Sequence, residues 1–122
     1  MNFLLAMHAR LLTTILVVLI LLAVWGIINF VRAARPPLYR AALWVAEWLI
    51  VAEFVMGGLL LLGGRRPAEA ALHIVYGVVA VLTLPAAFVY MRERDERAAQ
   101  LVYALACFFL GGVLLRALQT GG

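Results

Sequence analysis

The sequence predicts an all-α fold: an integral-membrane, up-down four-helix bundle of one domain, residues 1–122. Three observations carry this. The 122-residue chain is 67% apolar and only 13% charged, where soluble domains run near half apolar and a quarter charged. The apolar residues gather into four long blocks. The charges gather between them. A soluble domain this small buries too little of its surface to hide so many apolar side chains from water. Lipid must therefore be their solvent.

The first helix is expected over residues 3–31. Its run from Leu11 to Val31 is about 20 residues, enough to cross a bilayer. No small-residue cleavage site follows, so the reading is a retained helix and not a signal peptide. The second helix is expected over 38–62. It is set off by Arg32-Ala-Ala-Arg35-Pro36-Pro37, since Pro suits a first helical turn. The third is expected over 68–91, after Gly63-Gly64-Arg65-Arg66-Pro67, a Gly stop followed by a Pro restart. The fourth is expected over 98–118, after the charged run Arg92-Glu93-Arg94-Asp95-Glu96-Arg97. Short connections make sequential helices antiparallel neighbours.

The formal net charge is +4. The basic residues lie at the ends of apolar blocks, where membrane topology accounts for them. No nucleic-acid partner is expected; the bilayer is the partner. Arg32, Arg35, Arg40, Arg92, Arg94 and Arg97 share one side, and Arg10, Arg65, Arg66 and Arg116 share the other. The positive-inside rule then puts both termini outside the cytoplasm, in a bacterial or archaeal plasma membrane. Cys107 is the single cysteine, which rules out an internal disulfide. It reads as a buried, inert thiol.

An internal repeat divides the chain into two hairpins. Glu53-Phe-Val-Met-Gly57-Gly58-Leu-Leu-Leu61 parallels Cys107-Phe-Phe-Leu-Gly111-Gly112-Val-Leu-Leu115. Each of these helices follows one that carries a single histidine, His8 or His73. The predicted fold is thus two pseudo-symmetric hairpins about an axis along the membrane normal.

His8, His73 and the two glycine pairs fall in one layer roughly 7–10 Å below the outer helix ends, at 1.5 Å of rise per residue. Two imidazoles facing each other across a bundle suit a low-spin haem iron. On helix three, His73, Gly77, Ala80 and Leu84 share one stripe, as His8 and Gly26 do on helix one. The small residues leave room for a planar group. Arg10, Arg65, Arg66 and Arg116 lie on the correct side to receive haem propionates. The candidate cofactor site is therefore His8 and His73 as iron ligands, with Gly57, Gly58, Gly77, Gly111 and Gly112 as walls and the four arginines as rim. Glu47 and Glu53 are candidate proton relays, because carboxylates inside membrane helices are costly and usually functional. Asn29 reads as a polar contact at a helix end.

His8-Ala9-Arg10, the Glu53-x3-Gly57 helix, Pro67 and His73 resemble one four-helix half of the haem A synthase family. The likeness covers roughly residues 8–80. It implies that His8 and His73 hold haem b on the outer side. The family carries Gln at the position of Glu53. Its catalytic half has a Glu one turn before the first His, where this chain has Leu4 and Leu5. Its outer-loop cysteines are also missing. The resemblance is thus to the half that holds haem.

Three functions follow as expectations. The first is a b-type cytochrome with one bis-histidine haem near the outer face, moving electrons, alone or as a subunit of a larger respiratory or photosynthetic complex. The second is a half-size haem-modifying enzyme acting as a homodimer. The third is a cofactor-free structural or assembly subunit that packs through its glycine faces.

Overall fold

A computed structural model describes residues 2–64 and 69–120. It contains four helices, α1 (Asn2–Arg32), α2 (Pro37–Leu62), α3 (Ala70–Tyr90) and α4 (Glu96–Thr120), and no strand among the described residues. All four are long and apolar enough to cross a membrane. The reason is elementary. Lipid offers no hydrogen bonds, so each spanning segment must satisfy its backbone internally, and a helix does so.

The helix ends have local causes. Ala33 adopts φ 53°, the left-handed conformation that terminates helices. The Ala34 amide then donates to the Asn29 carbonyl at 2.8 Å. Arg97 Nε donates to the Phe30 carbonyl at 2.9 Å and its guanidinium lies 5.2 Å from the Phe30 ring. That carbonyl also accepts the Ala33 amide at 3.2 Å, so the last turn of α1 is doubly satisfied there. Pro36 precedes α2 and Pro37 opens it. Helix α4 starts two residues before the expected 98, because Asp95 acts as its cap. The Asp95 side chain accepts the Arg97 amide at 3.1 Å, and its carbonyl accepts the Ala99 amide at 2.9 Å. Short polar side chains at this position stabilise a helix start.

The helices form a ring in chain order. α1 packs on α2 and most extensively on α4, α3 packs on α4, and the α2–α3 interface is the sparsest. The diagonal pairs α1–α3 and α2–α4 make no direct backbone approach among the described residues. The predicted stripes are the core faces. Ile15, Leu19, Leu22 and Gly26 continue the His8 stripe inward and are buried, as are Ala80, Leu84 and Phe88 below His73.

Between membrane helices, close packing and polar contacts replace the hydrophobic drive available in water. Both occur in the half of the bundle away from the histidines. A Cβ placed on Gly26 would fall on the Tyr39 hydroxyl and lie 2.9 Å from Ala104 Cβ. Glycine is required there for α1, α2 and α4 to meet. Tyr39 donates to the Leu22 carbonyl at 2.9 Å, and Asn29 Nδ2 donates to Gln100 Oε1 at 3.1 Å. Arg40 donates to the Tyr103 hydroxyl at 3.1 Å and lies over the Phe88 ring. Cys107 is buried in this core.

Candidate functional site: a histidine-lined cavity

The other half of the bundle holds a cavity of about 190 Å³. All four helices contribute to its walls. His8 enters from α1, Glu53 and Gly57 from α2, His73 and Gly77 from α3, and Ala117 from α4. Among the described residues the walls are otherwise apolar. His8 and His73, 65 positions apart in sequence, bring their ring centres to 6.5 Å with the planes at 66°.

Each imidazole has an acceptor at Nδ1. The His8 Nδ1 lies 2.9 Å from Glu53 Oε1. The two atoms are in ion-pair contact, and neither makes a hydrogen bond among the described residues. The His73 Nδ1 lies 2.9 Å from the Ala117 carbonyl oxygen. A carbonyl only accepts, so His73 must donate, and its proton sits on Nδ1. A carboxylate beside Nδ1 favours the same tautomer in His8. In that tautomer the lone pair is on Nε2, and the Nδ1 contact orients the ring.

Glycine has a specific task beside His8. A Cβ on Gly57 would lie 3.2 Å from His8 Cε1, so the imidazole rests against bare backbone. A Cβ on Gly77 would lie 3.1 Å from Phe54 Cδ2, so the Phe54 ring covers that position. Gly58 also lines the cavity.

The second glycine pair does something else. Among the described residues, Gly111 and Gly112 do not line the cavity, and a Cβ on either meets nothing within 4 Å. The α4 wall is Leu114 and Ala117 instead. The sequence repeat is therefore not repeated in the site. In the first hairpin His8 meets Glu53, one turn before Gly57. In the second, His73 meets Ala117, beyond Gly112, and the counterpart of Glu53 is the core residue Cys107. Helix rotation, which repeat spacing leaves open, sets this difference.

The expected arginine rim is only partly described. Arg65, Arg66 and Pro67 lie outside the described residues. Arg10 and Arg116 are exposed and do not line the cavity; Arg116 donates to Gln119 Oε1 at 2.9 Å. Glu53 lines the cavity with its side chain 9% exposed, and its second oxygen has no partner among the described residues. Glu47 is buried outside the cavity, with one oxygen unpaired among the described residues. The Ala117 carbonyl was invisible to residue-type reasoning, since every residue carries one.

Among the described residues no three of His, Cys, Asp and Glu are grouped as a bare metal ion would need. The donor set is two imidazoles, which suits a metal that brings its own equatorial ligands. His8 and His73 would be the residues to hold such a group, their ring centres 6.5 Å apart. A haem macrocycle is larger than the enclosed space of about 190 Å³. The fold and site define a class: a four-helix membrane protein with a two-histidine cavity. Comparison with family models, curated proteins and solved structures finds no match.

Proposed function

We propose that this protein is a membrane b-type cytochrome that holds one haem between His8 and His73. The observation that carries the reading is the imidazole pair: ring centres 6.5 Å apart in one cavity, each Nδ1 facing an acceptor. That arrangement matches metal-ligating histidines, whose other nitrogen is held by a carboxylate or backbone carbonyl. Bound haem supplies one-electron redox chemistry. The chain's own residues orient the imidazoles, line the macrocycle with apolar and small side chains, and exclude water. The topology inferred from arginine placement puts this site near the outer face. There an electron-transfer subunit of a larger complex, or a homodimer, would operate.

The test is spectroscopic. The protein is purified in detergent, supplied with haem, and examined oxidised and dithionite-reduced. A Soret band with a sharp reduced α band, lost in both His8→Ala and His73→Ala, is the expected result. Absence of any Soret band after haem addition would sink the proposal.

A cofactor-free assembly subunit is the second reading. Gly111 and Gly112 favour it, being open on the outside of α4 in the way small residues prepare a helix face for a partner. Retention of a binding partner by a haem-free chain, lost in Gly112→Leu, would support it.

A further inference from the structure

We propose that the ligand of this cavity enters from the bilayer, sideways between α2 and α3, and that Phe54 resting on Gly77 is the gate. This rests on the haem reading and adds the source and route of the ligand.

The walls differ in how they are closed. Toward α1 and α4 the cavity is bounded by the buried Ile15 and Leu114, and α1–α4 is the most extensive interface of the bundle. Toward α2 and α3 it is bounded by Phe54 and Ile74, which are 41% and 43% exposed, and by the exposed Gly58. The α2–α3 interface is also the sparsest. In a membrane-spanning bundle, exposed apolar side chains at this depth face acyl chains. The mouth of the cavity therefore opens onto lipid.

Phe54 is built to move. Its ring lies over Gly77, whose missing side chain leaves it room. It has no polar atom, so swinging outward breaks no hydrogen bond. Moving a phenyl ring from one apolar surface into acyl chains carries little solvation cost, because lipid is as apolar as the packed interface. Behind the gate stand the polar groups of the cavity, His8, Glu53 and His73. A planar molecule with an apolar edge and a metal centre meets lipid first and imidazole last. The bilayer is accordingly the donor phase, in preference to the aqueous side.

The test compares haem loading of apoprotein embedded in phosphatidylcholine nanodiscs. Haem is offered either dissolved in phosphatidylcholine vesicles or bound to albumin in the water, and the Soret band is followed with time. In the double variant Phe54→Cys/Gly77→Cys, a short bifunctional thiol reagent joins the two positions. Cys107 is 1% exposed, and reagent-treated wild-type chain controls for it. Cross-linking is expected to slow loading from vesicles by about tenfold or more, relative to the same variant unlinked. Phe54→Ala is expected to load faster than wild type. Vesicle haem should load the wild-type chain faster than albumin haem. Equal rates with and without the cross-link, in a chain that does bind haem, overturn the gate and leave the haem site standing. A wild-type rate in Phe54→Ala, or faster loading from albumin, also overturns it. No Soret band in the wild-type chain from either source removes the haem reading itself.

Discussion

His8 and His73 stand on diagonally opposed helices that make no direct backbone approach to each other, yet their imidazole centres lie 6.5 Å apart. The pair is therefore held by α2 and α4: Glu53 approaches one ring and the Ala117 carbonyl accepts from the other. The site is a property of the whole ring of helices. Its predictions follow from the groups that support the two rings.

Glu53 lies against His8 at 2.9 Å, and no three-donor group forms among the described residues. Removing such a supporting partner commonly costs about 10- to 100-fold in metal-site affinity. Glu53→Ala is expected to weaken haem binding by that factor in an equilibrium titration. Glu47→Ala, outside the cavity, should leave the titration midpoint where it is in the wild-type chain.

Gly57 gives His8 its place. A methyl group there would sit 3.2 Å from the ring, and overpacking of this kind costs roughly 1–3 kcal/mol. Gly57→Ala should displace the imidazole slightly and weaken binding. Gly57→Leu should abolish the bis-histidine spectrum. Gly111→Leu, pointing into open space, should leave the spectrum in place. Identical spectra for Gly57→Leu and Gly111→Leu would contradict this account of the two glycine pairs.

Gly26 is a packing requirement, not a ligand one. Gly26→Ala puts a methyl group onto the Tyr39 hydroxyl and against Ala104, threatening the Tyr39–Leu22 bond. Destabilisation of about 1–3 kcal/mol is expected, read from unfolding in mixed micelles of increasing sodium dodecyl sulfate. Unchanged stability would show that the three helices do not meet as closely as described.

Asn29 and Gln100 form a buried side-chain bond between α1 and α4. Interhelical bonds in membranes contribute about 0.6 kcal/mol on average and up to roughly 2 kcal/mol. A double-mutant cycle with Asn29→Leu and Gln100→Leu should return a coupling energy in that range. A coupling of zero would mean the pair adds nothing to the α1–α4 interface.

Ala33 holds φ 53° to end α1. The left-handed region costs a non-glycine residue roughly 1–2 kcal/mol. Ala33→Gly should relieve part of that cost and raise the unfolding midpoint, although glycine also gives the unfolded chain more freedom. A lowered midpoint would argue against a left-handed Ala33.

Much of this architecture is local and was legible from residues alone. The four spans, their short connections and their core stripes follow because lipid makes each segment satisfy its own backbone. Pro37 and the Ala33–Pro36 break mark α1 and α2 in the chain itself. The shared depth of His8 and His73 follows from constant helical rise, and the cavity brings them together. Tertiary structure decided what helical rise cannot: how far each helix turns about its axis and which neighbour it meets. The two Phe-x-x-Gly-Gly segments look equivalent in sequence, but Gly57 supports an imidazole while Gly111 and Gly112 face outward. Glu53 is beside His8, and its repeat counterpart Cys107 lies in the core. One partner of His73 is a backbone carbonyl, which no side-chain pattern encodes. These differences arise from side chains fitting across helices distant in sequence, where a small rotation moves a residue from cavity to lipid.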